Sequence, residues 1–304
     1  MACVTALGRR GGGPRVSPVF PLRVENPVFR TPVVTVAVIL ACIGAWVVAQ
    51  RGLEGTTIVD TEVGQFRVGQ VLRFNLEYAA VPCEVVQGRP LTVSEVADTY
   101  GRGDDQACAP GDAAPALFPD KPVLLAVVTS MFLHGGLVHL GFNMLFLWIF
   151  GNNVEDHLGH LRFAVFYLLG GVVAAVAFVA TNPDGTVALV GASGAVAAVM
   201  GAYLVWFPDA PIRTLVLLLL FDIRARWYLV FWFVLQFFTS PDSGVAWVAH
   251  VGGFVFGVVV GLLARSSRAP LLVPRDRRAD RWWDPTGGAG RGPYPHPTPW
   301  AGRR

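Results

Sequence analysis

The sequence predicts an all-α, polytopic membrane protein with six transmembrane helices and both termini in the cytoplasm. Hydrophobic residues make up 53% of the 304 residues and charged residues only 15%, whereas soluble domains contain roughly 25% charged residues. Apolar stretches of about the length that crosses a bilayer recur along the chain. Arginines cluster before the first stretch and after the last, which is typical of cytoplasmic segments.

Each predicted span is an apolar run bounded by polar or charged residues. A bilayer core requires about 20 such residues in a helix. The six runs lie at about residues 33–50, 138–153, 163–181, 187–207, 227–239 and 245–264. A further apolar run at 212–221 is too short to span, and we expect it to lie at the membrane face.

The spans divide the chain into three parts. Residues 1–31 are predicted to be a basic cytoplasmic tail, residues 32–264 the membrane domain, and residues 265–304, rich in Arg, Pro and Gly, a disordered cytoplasmic tail. A long segment at 51–122 follows the first span as an extracytoplasmic loop. It is either a substrate-gating or partner-binding subdomain or a tolerated insertion. Its Cys83 and Cys108 face the oxidising side, where they either form a disulfide or remain free thiols.

Several polar residues fall inside the predicted spans, where they are costly and mark functional candidates. His134, His139 and Asn143 lie at the start of the second span, Ser193 early in the fourth and His250 early in the sixth. Taken singly, each has an ordinary explanation. A membrane serine often bonds its own backbone or packs at a helix contact, and a histidine or asparagine often links two helices.

The predicted topology brings these residues together. The second, fourth and sixth spans all run from outside to inside, so early positions in each lie in the same leaflet. At 1.5 Å per residue, Ser193, His250, His139 and Asn143 lie about 5–10 Å below the outer surface. The sequence therefore predicts one polar site at this depth.

Glycines flank the two central residues of this site. They are Gly191, Gly194, Gly253 and Gly257. The last two form a GxxxG pattern, which lets helices pack closely. We expect this packing to bring the sixth helix against the fourth, and with it His250 against Ser193.

A serine beside a histidine indicates nucleophilic catalysis. A serine hydroxyl is a poor nucleophile until a base takes its proton, and neutral imidazole can do so near pH 7. The spans offer no carboxylate placed to orient His250, so we predict a dyad of Ser193 as nucleophile and His250 as general base. We expect no cofactor and no metal, since four cysteines are too few and too scattered for a thiolate site. A net charge of +3 gives no indication of nucleic acid as a partner.

Four runs of the sequence carry a family resemblance: TSMFLHGGLVHLGFNMLFLWIFG, GNNVEDHLG, VGASGAVAAVMGAY and VAHVGGFVFG. Their order and spacing resemble the rhomboid family of intramembrane serine proteases over about residues 26–265, except for most of the first loop. The resemblance implies a six-helix rhomboid bundle with the same Ser–His dyad. It also implies an oxyanion hole formed by His139, Asn143 and the Ser193 backbone N–H, with His134 as a supporting neighbour.

The sequence also matches a structural motif of the family, and it differs from the family at two places. Gly151, Glu155 and Gly159 match a GxxxExxxG pattern that we expect to hold the loop after the second helix. At Ala197, family members usually carry an aromatic residue packed under the catalytic histidine, which leaves open how His250 is held. The family's Trp-Arg pair in the first loop is not evident either.

The resemblance implies hydrolysis of peptide bonds in or near transmembrane helices of membrane proteins. The expected partners are therefore transmembrane protein substrates and membrane lipids. The expected location is a cell membrane, the plasma membrane of a bacterium. The alternative is a catalytically weak or inactive rhomboid-like protein that binds membrane clients, and Ala197 is the feature that favours it. A transporter is a weaker alternative, because the sequence shows no inverted repeat.

Overall fold

The computed structural model describes residues 19–24, 28–53, 55–61, 64–216, 219–240 and 244–266, which are mostly helical. Four helices among these residues are long and apolar enough to cross a membrane: Val33–Gln50, Leu137–Leu158, His160–Thr181 and Trp247–Ala264. Each of the six predicted apolar runs contains a helix. Of the predicted disordered tail at 265–304, residues 265 and 266 belong to the last helix, and residues 267–304 lie outside the described residues, as do the first eighteen residues of the predicted N-terminal tail.

The described residues contain ten α-helices. In chain order they are α1 (Val33–Ala45), α2 (Gln70–Tyr78), α3 (Pro82–Gln87), α4 (Val93–Ala97), α5 (Val123–Thr129), α6 (Leu137–Leu158), α7 (His160–Thr181), α8 (Ser193–Trp206), α9 (Ala225–Gln236) and α10 (Trp247–Ser266). A short π-helical turn, Trp46–Gln50, extends α1.

Helix α8 lies at the centre of the bundle, packed against α6, α7 and α10. Residues 194–203 of this helix are all buried, which agrees with its apolar character on every side. It has only 14 residues, a length of about 21 Å against about 30 Å for a bilayer core. The helix is shorter than the predicted span at 187–207, because the residues before Ser193 form an extended loop.

The prediction of an all-α chain is wrong in two places. Among the described residues, three strands form an antiparallel sheet in the order β1, β4, β5, and two more form a hairpin, β2 and β3. The strands are β1 (Val19–Val24), β2 (Thr56–Thr61), β3 (Gly64–Gly69), β4 (Pro211–Val216) and β5 (Leu219–Arg224). Strand β1 belongs to the segment at 1–31 predicted as a basic tail, and it pairs with β4.

The β4–β5 hairpin contains the apolar run at 212–221 that was predicted at the membrane face. A run of this length cannot span a bilayer as a helix, and pairing between strands satisfies its backbone hydrogen bonds instead. The cross-strand partners Arg213 and Asp222 form an ion pair, with 3.0 Å between Arg213 Nε and Asp222 Oδ1. Sequence hydrophobicity alone did not distinguish this hairpin from a surface helix.

Glu155 fastens the beginning of α1 to the end of α6. Its buried carboxylate accepts hydrogen bonds from the backbone N–H groups of Val34 and Thr35, at 2.8 and 2.7 Å, and from the Thr35 hydroxyl at 2.7 Å. The ring Nδ1 of His160 lies 2.6 Å from the same carboxylate. The GxxxExxxG pattern was expected to hold the loop after α6, but most of the hydrogen bonds of Glu155 go to the first turn of α1, where free N–H groups attract an anion.

The first loop contains a folded subdomain rather than an irregular insertion. Its helices α2, α3 and α4 surround a small core that includes Leu76, Val81 and Cys83. Cys83 and Cys108 form a disulfide with 5.7 Å between their Cα atoms, which resolves the question left open by the sequence. Glu84 and Lys121 form a buried ion pair in the same region.

This subdomain contacts the loop that leads into α8. The backbone N–H of Leu189 donates to the carbonyl of Ala80 at 2.7 Å, and the N–H of Cys83 donates to the carbonyl of Gly185 at 2.9 Å. The hydroxyls of Thr99 and Thr186 are 2.7 Å apart. The first loop therefore supports the segment immediately before Ser193.

Removing the disulfide is expected to destabilise this support. The bridge joins residues 25 positions apart, and closing a loop of that size stabilises a fold by about 3 kcal/mol in the chain-entropy account. We expect the double variant Cys83→Ser, Cys108→Ser to melt at a lower temperature than the parent protein. Reductant should lower the melting temperature of the parent and leave that of the double variant unchanged. A reduced parent that melts like the oxidised one would contradict this prediction.

Candidate active site

Ser193 is the first residue of α8. Two residues earlier, Gly191 has a φ of +120°, a conformation that side chains disfavour and that turns the chain into the helix. The N–H of Gly191 donates to the carbonyl of Ser130 at 2.9 Å, which fixes the turn. Because the first N–H groups of a helix have no partner within it, the N–H of Ser193 is available to a group bound in front of α8.

His250 lies in hydrogen-bond contact with this serine. Its Nε2 is 2.9 Å from the Ser193 Oγ, and its side chain is buried in the first turn of α10. The sequence predicted this pairing from shared depth, the GxxxG pattern and the family resemblance, and the structure brings the two side chains together.

Close packing of α10 on α8 makes that contact possible. A Cβ atom at Gly253 would lie 2.1 Å from the carbonyl oxygen of Gly194, and one at Gly257 would lie 1.9 Å from that of Ala198. Neither distance is compatible with a side chain. The GxxxG pattern therefore has the close-packing role that the sequence predicted.

His139 presents one ring nitrogen to the same space. Its Nδ1 accepts a hydrogen bond from the N–H of Gly135 at 3.3 Å, so the proton of the neutral ring lies on Nε2. That Nε2 is buried and has no hydrogen-bond partner within the described residues. A Cβ at Gly191 would lie 2.8 Å from it, which places this donor beside the turn that precedes Ser193.

Asn143 and His134 lie next to His139. The side-chain amide of Asn143 donates to the carbonyl of His139 at 2.9 Å, which uses one of its two N–H bonds. The rings of His134 and His139 pack edge to face with centroids 5.2 Å apart. Gln50 makes two hydrogen bonds to the backbone of His134. Its amide oxygen accepts from the His134 N–H at 3.0 Å, and its amide nitrogen donates to the His134 carbonyl at 2.9 Å.

Two residues near His250 were missed by the sequence analysis. Gln236, at the end of α9, places its Oε1 2.8 Å from the Nδ1 of His250. The ring of Trp232 lies one turn earlier, with its centroid 6.0 Å from that of His250. A glutamine in an otherwise apolar helix is a signal that could have been used, because a polar side chain at that depth needs a partner.

A small cavity opens beside the serine. Its lining includes Gly171, Ala174, Gly191, Ser193 and Ala249, so it is bounded mostly by small side chains and backbone. In the described residues, the cluster with suitable metal-ligand spacing is Cys83, Glu95 and Cys108, but its two sulfurs are joined in the disulfide and are not thiolates.

Helices suited to crossing a membrane and a buried Ser–His contact define the chain as a multi-pass membrane protein with a candidate hydrolytic site. The family model for the rhomboid domain matches residues 122–267, the segment that contains Ser193, His250, His139, Asn143 and His134. Residues 122–267 of this chain are therefore a rhomboid domain.

Several curated proteins are similar to this chain. Rhomboid protein 1, mitochondrial, of Saccharomyces cerevisiae is 27% identical over 168 residues, which cover 52% of this chain and 47% of that protein. Presenilin-associated rhomboid-like protein A, mitochondrial, of Danio rerio is 31% identical over 148 residues, 45% of this chain and 37% of that protein. Rhomboid protease GlpG of Serratia proteamaculans is 31% identical over 145 residues, 47% of this chain and 49% of that protein. The chain therefore spans less than half the length of each of these relatives.

Proposed function

We propose that this protein is an intramembrane serine endopeptidase that hydrolyses peptide bonds in or near transmembrane helices of other membrane proteins. The observation that carries the proposal is the 2.9 Å contact between Ser193 Oγ and His250 Nε2, the distance over which an imidazole can take a hydroxyl proton. Relatives named as proteases, such as GlpG of Serratia proteamaculans, support it.

In the proposed reaction, His250 Nε2 takes the Ser193 proton while Oγ attacks the scissile carbonyl carbon. The negative charge that develops on the carbonyl oxygen is met by the Ser193 N–H, the His139 Nε2–H and the second N–H of Asn143. Each such donor is worth about 3 kcal/mol of barrier. His250 then gives its proton to the leaving amine, and a water molecule, deprotonated by the same ring, hydrolyses the acyl-enzyme.

The small cavity indicates which side chain the substrate presents. Its volume is only about 20 Å³, and Met131 and Leu189 line it together with small residues, so it accepts a side chain of alanine or serine size more readily than a large one. We propose substrates with small residues at a helix-destabilising cleavage site. We also propose that five residues support the active site without reacting: His134, Gly191, Gly194, Gly253 and Gly257.

We also propose the topology and location that go with this activity. Six spans with both termini cytoplasmic make residues 32–264 one membrane domain between the basic segment at 1–31 and the tail at 265–304. The first loop at 51–122 is then extracytoplasmic, and Ser193 lies below the outer surface. Bacterial proteases among the relatives support a bacterial plasma membrane, although the yeast and zebrafish relatives are named mitochondrial.

Cleavage of a reporter transmembrane substrate by the purified full chain in detergent tests the proposal. We expect Ser193→Ala and His250→Ala to reduce the rate by at least about 10³-fold, because the serine and its base act as a unit. Leu161→Ala, which alters an exposed side chain at the start of α7, should cleave at the parent rate. Equal rates for the parent and both site variants would contradict the mechanism.

The same assay tests the alternative, a catalytically weak or inactive client-binding protein. That alternative is favoured by the small residue Ala197 at a position where family members usually support the histidine. A parent protein that binds the reporter substrate but leaves it intact, as Ser193→Ala does, would select the alternative.

A further inference from the structure

The side chain of Gln236 is the direct partner of the catalytic histidine on the side away from the serine. Its Oε1 lies 2.8 Å from His250 Nδ1, and both side chains are buried. His250 Nε2 faces Ser193 Oγ at 2.9 Å. The imidazole is therefore held between two hydrogen-bonding groups, one on each ring nitrogen.

The orientation of the Gln236 amide is fixed by a second hydrogen bond. Its Nε2 donates to the carbonyl oxygen of Trp232 at 3.0 Å, one turn earlier in α9. A carbonyl oxygen accepts and cannot donate, so the amide nitrogen must face Trp232 and the amide oxygen must face His250. This network assigns the amide without ambiguity.

The amide oxygen in turn selects one tautomer of His250. Because Oε1 only accepts, the neutral ring must carry its proton on Nδ1, which leaves the lone pair of Nε2 towards Ser193. That is the tautomer that can take the serine proton. When the ring becomes an imidazolium, the Nδ1–H bond to Oε1 becomes charge-assisted and stronger, so it stabilises the protonated state that forms during the reaction.

Among the helices around His250, α9 provides the side chains that orient the imidazole. Residue 197 of α8 is an alanine, and the aromatic ring near the imidazole is Trp232, with centroids 6.0 Å apart. Trp232 also packs on Phe254 of α10, with centroids 5.9 Å apart. Within the described residues, the titratable groups that face His250 are His139 from α6 and Ser193 from α8. Neither of them is a carboxylate.

We propose that Gln236 is a positioning residue of the site, which holds His250 in the tautomer and orientation required of a general base. The site is then a Ser–His–Gln array in which a neutral amide takes the place that a carboxylate has in a triad, with Trp232 fixing the amide and packing on the ring. This inference rests on the proposed proteolytic function, because it assigns a role within that reaction.

The kinetics of the full chain on the reporter transmembrane substrate, measured across the pH range in detergent, test this role. In Gln236→Leu the acceptor is lost at similar volume, and we expect kcat to fall by about 10- to 100-fold with KM nearly unchanged. In Gln236→Glu an acceptor is retained, so kcat should exceed that of the leucine variant. A carboxylate beside the ring favours the imidazolium, so the acid limb of kcat/KM should move to higher pH by about 1 unit or more.

The control is Val234→Ala, which alters an exposed side chain of the same helix and should keep the parent profile. A leucine variant whose kcat stays within about twofold of the parent overturns the inference. A glutamate variant with the kcat of the leucine variant and the acid limb of the parent also overturns it, since residue 236 would then act through packing alone. Failure of the proposed function is a different result, because it appears as a parent protein that does not cleave.

Discussion

Gly253→Ala is expected to abolish cleavage while the helices still form. The added Cβ would lie 2.1 Å from the carbonyl oxygen of Gly194, the residue that follows Ser193, and a backbone oxygen has no room to move unless the helices separate. Overpacking of this kind costs about 1–3 kcal/mol or more. Because a displacement of about 1 Å can reduce a rate by about 10²-fold, we expect kcat/KM to fall by at least that factor.

Gly44→Ala in α1 is the matched control for this variant. It adds the same methyl group to a helix of the described bundle at a position where nothing lies within 4 Å of the new Cβ. We expect its activity and melting temperature to equal or exceed those of the parent, because alanine favours the helix. Gly253→Ala with the activity of Gly44→Ala would show that α8 and α10 do not need their close contact.

Glu155→Ala is expected to cause the largest loss of stability. The variant removes the acceptor of three donors, the buried N–H and hydroxyl of Thr35 and the partly buried N–H of Val34. A buried donor left without a partner costs about 1–3 kcal/mol, so we expect the free energy of unfolding to fall by about 3 kcal/mol or more. The melting temperature in detergent, followed by circular dichroism, measures this loss.

Asp156→Ala tests whether burial is the cause. This neighbouring carboxylate also accepts from backbone N–H groups, those of Phe29 and Arg30 at 3.2 and 2.9 Å, but in a more exposed position where water can replace it. We expect a loss of about 1 kcal/mol. Equal melting temperatures for the two variants would mean that the buried network of Glu155 contributes nothing beyond an ordinary surface contact.

The helices of the bundle follow from the sequence because apolar runs and breaks between them are local properties. The sequence also predicted that Ser193 and His250 meet, since alternate spans share a direction and GxxxG allows close approach. It did not predict the β4–β5 hairpin, because its strands gain their stability from pairing with each other and with β1, which is distant in the chain. The start of α8 was likewise set by tertiary contacts, those of the preceding residues with the first loop and with Ser130.

The histidine support could not be derived from the family pattern. Ala197 showed that the usual aromatic support is missing, but the replacement comes from another helix. Gln236 indicates the inward face of α9, but the sequence does not show which residue that face contacts. Gln236 and Trp232 are one turn apart and therefore share a face. Only the packing of α9 on α10 shows that this face meets His250.

The central claim is that His250 activates Ser193, and covalent labelling with a fluorophosphonate tests it most directly because no substrate needs to be known. A serine that is deprotonated by its neighbour attacks the phosphorus, displaces fluoride and keeps the phosphonyl label. The account predicts that peptide mass spectrometry of the labelled parent finds one adduct on Ser193, and that His250→Ala shows none. Labelling of Ser193 at the same rate in His250→Ala, or no adduct on Ser193 in the parent, would contradict it.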